Sequence, residues 1–202
     1  MPRQARIDAP GALHHIIFRG IERRQIFRDN KDRDNFLDRL GTVLAETGTP
    51  CYAWALIPNN VHLLLKTGNG PISTVMRRLL TGHAAYFNRR HRRHGKLFQN
   101  RYKSILCQED AYLLELVRYI HLNPLRARLV SDLKSLDRWA YSGHSTIMGK
   151  RNHLWQDSKY VLRLFGKTLP TARKRYRKYV EKAAEEGKRP ELTGGGLIRS
   201  MG

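Results

Sequence analysis

The chain has 202 residues, 41% of them hydrophobic, with 38 Lys and Arg against 17 Asp and Glu and a formal net charge of +21. That length and apolar content suit one domain with an appendage, or a single large domain, and argue against wholesale disorder. The charge excludes nothing about the fold but predicts attraction to nucleic acid or anionic membrane, and membrane is the weaker partner because no apolar run approaches the roughly 18 residues of a spanning helix.

Leu13 to Gly20 reads as a short strand ended by the glycine. Asp29 or Asn30 can cap a helix whose apolar positions Phe36, Leu37, Leu40, Val43 and Leu44 follow helical spacing, with Gly48 and Pro50 ending it. Cys51 to Ile57 is β-rich, Pro58-Asn59 supplies turn chemistry, and Val61 to Lys66 is a second apolar run; together they predict a hairpin. Past Gly68, Gly70 and Pro71, the spacing of Ile72, Val75, Met76, Leu79 and Leu80 predicts a helix running into the Arg89–His94 cluster and stopping at Gly95. Arg101 to Cys107 predicts a fourth strand, and Glu109-Asp110 start another helix with charges suited to its N-terminus.

This order predicts an α+β fold of the ferredoxin-like β-α-β-β-α-β kind, an antiparallel sheet with both helices on one face, followed by a further helix. Residues 1–130 are read as one domain and 131–202 as a mostly helical C-terminal extension. In the extension, 131–149 reads as an extended aromatic lobe around Trp139 and Tyr141. Residues 171–186 read as a charged helix with Thr171 as cap and Gly187 as stop, and Gly194-Gly195-Gly196 as flexible. Cys51 and Cys107 lack Cys-x-x-Cys spacing, and residues 1–6 are basic without the apolar segment of a secretion signal. A cytoplasmic location is therefore the default.

Three groups of residues can carry chemistry. Asn60 and His62 are two apart in a strand-like run and so project to one side. Imidazole binds transition metals and an amide oxygen can meet Mg²⁺ or Mn²⁺, although a lone His beside three leucines is more often a structural residue. In the helix from Glu109, the residues Leu113, Leu116, Val117 and Ile120 make the core stripe, with Glu115, Tyr119 and Asn123 four apart beside it. Tyr119 is there either a boundary residue or a nucleophile, the latter only if its high pKa is overcome. Finally, residues 47–108 contain no Asp or Glu but carry Arg77, Arg78, Arg89, Arg90, Arg92, Arg93, Lys96, Arg101 and Lys103, interleaved with Tyr86, Phe87, Phe98 and Tyr102. Cations neutralise phosphates and aromatics stack on unpaired bases, so this tract predicts nucleic-acid binding.

Ile57-Pro58-Asn59-Asn60-Val61-His62-Leu63-Leu64 resembles the Met-Pro-Asn-His-Val-His-Leu-Leu motif of the single-tyrosine HUH transposases, and among them looks most like the REP-associated tyrosine transposases. Supporting matches are His15 with Arg19-Gly20, the run Phe98–Ser104, and Tyr119-Ile120-His121-Leu122-Asn123-Pro124-Leu125-Arg126-Ala127. The resemblance covers about residues 12–130, with a weaker match at 189–196. It implies a metal-dependent cleavage and rejoining of single-stranded, hairpin-forming DNA through a 5′-phosphotyrosine. Tyr119 would be the nucleophile, and His62, Asn60 and Asn123 the ligands of Mg²⁺ or Mn²⁺. The resemblance admits monomers and homodimers. Asn60 stands where the family has its first HUH histidine, so a catalytically weakened or domesticated member that binds structured single-stranded DNA without cutting is the alternative. His14, His15 and His121 are conceivable substitutes that nothing in the sequence brings to the metal. The acid-free tract is expected to carry the strand between the Asn60-His62 strand and the Tyr119 helix.

Two further readings are weaker. An RNA-binding sheet of RRM type lacks its ordered aromatic signature. A groove-binding role for the 172–184 helix competes with a charged helix that packs Tyr176, Tyr179 and Val180 on the body.

Overall fold

The computed structural model describes residues 9–107 and 109–185. Four β-rich segments form strands: β1 (Leu13–Arg19), β2 (Cys51–Ile57), β3 (Asn60–Lys66) and β4 (Lys103–Cys107). They make one sheet in the order β2-β3-β1-β4, with every neighbouring pair antiparallel. Pro58 and Asn59 alone join β2 to β3, and their carbonyls hold the segment after β1. Pro58 O accepts from Ile26 N at 2.8 Å, and Asn59 O accepts from Gly20 N at 2.9 Å. Gly20 is required there, because a Cβ on it would lie 2.0 Å from the Arg24 carbonyl oxygen.

Helix α1 (Asn30–Thr47) starts at Asp29, whose side chain accepts from Asp32 N, and stops at Gly48 in the left-handed conformation. Helix α2 (Ile72–Arg90) starts after Pro71. Their apolar stripes, Phe36, Leu40 and Val43 on α1 and Val75, Met76 and Leu79 on α2, cover the sheet face made by Ile16, Phe18, Trp54, Leu56 and Leu63. The topology is that of the expected ferredoxin-like α+β fold, with both crossover helices on one face.

Strand alternation leaves a second buried face, bearing Leu13, Ile17, Ala53, Leu64 and Ile105. Helix α3 (Glu109–His121) lies on it through Leu113, Leu116, Val117 and Ile120. Pro124 sits in the first turn of α4 (Asn123–Arg126), where its missing N–H leaves no bond unmade. Four more helices follow: α5 (Leu133–Arg138), α6 (Gly143–Ile147), α7 (Ser158–Arg163) and α8 (Leu169–Glu185). Leu136, Ile147, Val161, Tyr176 and Val180 from these elements join the same apolar cluster as α3 and the sheet. Each face of the sheet is therefore buried, which accounts for strands that are apolar almost throughout.

Residues 131–149 depart from the expected extended lobe. Asp132 accepts from Ser135 N at 2.7 Å and Ser142 Oγ accepts from His144 N at 3.3 Å, and these caps turn the segment into two short helices. Helix α8 also begins at Leu169 rather than at a Thr171 cap, since Ala172 N already donates to Thr168 O at 2.9 Å and Pro170 is tolerated in a first turn. As expected, Tyr176 and Val180 are fully buried. Gly187, the Gly194–Gly196 run and the 189–196 match lie outside the described residues. Among the described residues no helix is long and apolar enough to cross a membrane.

Candidate active site and nucleic-acid interface

The register of β1 and β3 builds the site. His62 lies opposite Ile17 and Asn60 opposite Arg19, so His15, Arg19, Asn60 and His62 are gathered on the face that α3 covers. Asn60 and His62 are side by side, as the two-residue spacing predicts: Asn60 Nδ2–H donates to His62 Nε2 at 2.9 Å. The other nitrogen of that ring, Nδ1, is 3.1 Å from His15 Nε2. Tyr119 packs edge-on against both imidazoles, with ring centroids 6.0 Å from each. The structure therefore brings Tyr119, His62 and Asn60 together and adds His15.

Burial sets the electrostatics. His62 is pushed down to about 4, first by burial and then by the charge of Arg19. Burial, then His62 and Lys103, hold His15 well below the usual imidazole range. Both rings are neutral at neutral pH and keep a lone pair, as a metal ligand must. Burial raises the Tyr119 phenol, while the Arg126 guanidinium, 5.2 Å from the ring centre, works the other way. Glu115, one turn before Tyr119, is engaged elsewhere: it accepts from Arg118 Nη2 at 2.7 Å and from Tyr179 Oη at 2.7 Å.

A strap along α3 fixes the position of Tyr119. Besides the Tyr179–Glu115 bond, the Arg118 guanidinium stands 4.3 Å from the Tyr179 ring centre, and His121 Nδ1 bonds Tyr176 Oη at 2.7 Å. Tyr176 also bonds His144 Nδ1 at 2.8 Å, and His144 Nε2 meets Asp137 at 2.8 Å. His121 thus belongs to this buried network, and His14 to the opposite face, where its nitrogens meet Ser104 Oγ at 3.0 Å and Thr67 Oγ1 at 3.1 Å.

Among the described residues no three His, Cys, Asp or Glu side chains converge on a point that could hold an ion. A metal here would rest on His62 and on amides. The residues fit a hard divalent cation in two respects. Asn60 and His62 stand side by side on one face of β3, so Asn60 Oδ1 and His62 Nε2 would be the adjacent donors to an ion that displaced the hydrogen bond between them. Asn123 is in the turn after Tyr119 at the end of the tyrosine helix, and its Oδ1 would be the ligand, since the orphaned Nδ2 is a donor that a cation cannot use.

The cationic tract is divided in space. Arg77, Arg78, Arg89 and Arg90 are on α2, which packs on the sheet face away from Tyr119. Arg92, Arg93, Lys96 and Arg101 follow in the connection to β4, and Lys103, opposite Ile17, is the residue of the tract that reaches the Tyr119 face. The expected continuous track between β3 and α3 is corrected accordingly, because the alternation of β4 and the placement of α2 send the cations to different sides. The tract also meets acids from α1: Arg90 pairs with Asp29 and with the fully buried Asp32, and Arg78 pairs with Glu46. Arg77, Lys96 and Arg101 rim a groove floored by Leu80, Phe98 and Tyr102, between α2 and the following connection.

The sequence marked His15 only as a motif match and a conceivable substitute ligand, and gave Arg19 and Arg126 no role beyond the motif matches. The odd-numbered alternation from Leu13 to Arg19 was the available signal for the first two, but only the β1–β3 pairing shows what they face.

Among curated proteins none matches the chain in sequence. A solved REP-associated tyrosine transposase bound to a REP hairpin shares the fold with a TM-score of 0.58 at 14% identity, over 78% of this chain and 98% of that one. A candidate transposase from Deinococcus radiodurans R1 aligns at 21% identity over 55% of this chain and 91% of its own, with a TM-score of 0.41. The pattern of the IS200-like transposases matches residues 10–123, more than half of the chain and all of the strands, together with Asn60, His62, Tyr119 and Asn123. The protein belongs to the IS200-like transposase family.

Proposed function

We propose that the protein binds single-stranded, hairpin-forming DNA of REP type, cleaves it through Tyr119 and rejoins strands through a 5′-phosphotyrosine. The observation that carries this reading is the packing of the Tyr119 ring against the His62 imidazole, 6.0 Å between centroids, beside Asn60. Tyr119 Oη forms the bond to phosphorus, the P–O3′ bond breaks, and the phenolic proton ends on the departing 3′ oxygen. Arg126 favours the phenolate against the burial that opposes it. His62, Asn60 and Asn123 would hold Mg²⁺ or Mn²⁺. Such an ion, when bound, supplies Lewis-acid polarisation of the scissile phosphate and so relieves the demand on a neutral tyrosine. Arg19 and Lys103 flank the two imidazoles and meet phosphate, while the groove rimmed by Arg77, Lys96 and Arg101 takes an unpaired stretch of the strand, with Phe98 and Tyr102 as apolar floor. The α8 strap keeps Tyr119 in the site of its own chain, which favours a monomer as the working unit. Residues 1–130 carry the reaction in this reading and 131–202 support it.

Asn60 gives the second reading its one specific support. A neutral amide is a poorer donor than imidazole, so the protein would bind the DNA without cutting it. Both readings are tested with Mn²⁺ and a hairpin-flanked strand labelled at each end. Covalent attachment to the 5′ end is expected, abolished by Tyr119→Phe with binding nearly intact. An adduct that survives Tyr119→Phe would sink the nucleophile. An inert wild type with an active Asn60→His variant would establish the second reading.

A further inference from the structure

His62 is touched at both ring nitrogens, and the two contacts are not equivalent. Asn60 is at Nε2, at 2.9 Å, and His15 is at Nδ1, at 3.1 Å. The lone-pair directions of the two nitrogens diverge, so a cation shared between Asn60 and His62 must sit at Nε2, and His15 lies behind the ring. His15 therefore does not stand in for the missing histidine as a ligand. A chain of two imidazoles and an amide has two proton arrangements. In one, His62 carries its proton on Nδ1, donates it to His15 Nε2, and presents a bare Nε2. In the other, His15 Nε2–H donates to His62 Nδ1, and the proton of His62 occupies Nε2, where it blocks an ion.

We infer that His15 is a positioning residue: by accepting a hydrogen bond from His62 Nδ1–H it fixes the ring and the tautomer that leave Nε2 free for a divalent cation. This rests on the metal-dependent reading above and goes beyond it by assigning the first-strand histidine a task. Two observations favour the accepting role. Asn60 Nδ2–H donates to Nε2, which requires the lone pair there. The cost of this arrangement is that the proton of His15 sits on Nδ1, which is buried without a hydrogen-bond partner. His15 is itself fully buried and held in register opposite Leu64 and Ile105 on its two neighbouring strands, with its ring 5.3 Å from that of His62 and 6.0 Å from that of Tyr119. A ring so enclosed cannot swing into the site, but it can hold another ring. A ligating histidine generally gives its second N–H to a fixed acceptor, and loss of such an acceptor costs about 10–100-fold in metal affinity or activity.

The test uses the whole protein, without DNA. Nitrogen-detected imidazole spectra of the metal-free wild type should show His62 protonated at Nδ1 and bare at Nε2. The opposite tautomer would overturn the inference whatever the variants do. His15→Leu should weaken Mn²⁺ binding about 10–100-fold and mix the His62 tautomers, while hairpin affinity and melting temperature stay close to wild type. His15→Gln, whose Oε1 can accept the same bond, should restore most of the Mn²⁺ affinity. Wild-type Mn²⁺ binding in a folded His15→Leu protein would overturn the role of His15 alone. Failure of both wild type and Asn60→His to bind Mn²⁺ would overturn the metal-dependent reading, and the role of His15 with it.

Discussion

The two faces of the sheet use the same kinds of side chain for different ends, and consecutive residues of β1 show how. His14 points under α1 and α2 and bonds two hydroxyl side chains, Ser104 and Thr67. His15 points under α3 and meets His62 and Tyr119, with one ring nitrogen left over. Charges follow the same division. Under α1 and α2, Asp32 is completely buried, yet burial, which would raise its carboxyl, is outweighed by bonds from Arg28 N, His91 and Arg90 that lower it. Under α3, Tyr119 is buried, and His15 Nδ1 and Asn123 Nδ2 lack hydrogen-bond partners, as His83 Nδ1 does on the other face. A fully partnered polar group stabilises its fold, whereas an under-partnered one retains capacity for a ligand.

The largest effect that bears on this comparison is acid. His62 on one face and His83 on the other are each held down to about 4 by burial. In the unfolded chain they take up protons near 6.5. Between those values the unfolded state binds protons that the native state refuses. Stability is therefore fully present above about pH 6.5 and falls as pH drops toward 4, by up to roughly 3 kcal/mol for each ring. Urea unfolding across that range measures it, and His62→Gln and His83→Gln should each flatten part of the decline. A flat wild-type profile would show that neither face excludes the imidazolium.

Next in size is Asp32→Ala, which strands Arg90, His91 and the Arg28 amide. A loss on the order of 3 kcal/mol is expected by denaturant unfolding, with Mn²⁺ affinity of the folded protein unaltered. If Mn²⁺ binding fell as well, the separation of the two faces would be broken.

The smallest effect concerns the cations. Lys96→Ala or Arg101→Ala should each reduce the slope of log affinity against log salt for a single-stranded ligand by about 0.7. Arg90→Ala should lower stability and leave the slope nearly unchanged, because its guanidinium already belongs to Asp29 and Asp32. Equal slope changes from all three would return Arg90 to the DNA contacts that its place in the tract suggested.

Much of this was legible in the sequence for local reasons. Helical spacing in α1, α2 and α3, the Asp29 cap, the Gly48 stop and the Pro58-Asn59 turn are each fixed by residues a few positions apart. The short helices α5 and α6 were not legible, since a single turn has little periodicity and depends on its cap and on what covers it.

In the site, spacing alone put Asn60 beside His62, and the matched motifs marked Tyr119 and Asn123. Spacing could not say that His15 lies behind His62, because 47 residues separate them and only the β1–β3 register closes that distance. Nor could an acid-free window in the chain reveal acids supplied by α1 from across the helix interface. The sequence by itself determined the strands and the long helices, the family motifs and the excess of positive charge, all of which are local or additive properties. Tertiary structure decided which cations remain available to a ligand and which imidazole stands behind which, because pairing and burial are contacts between distant segments.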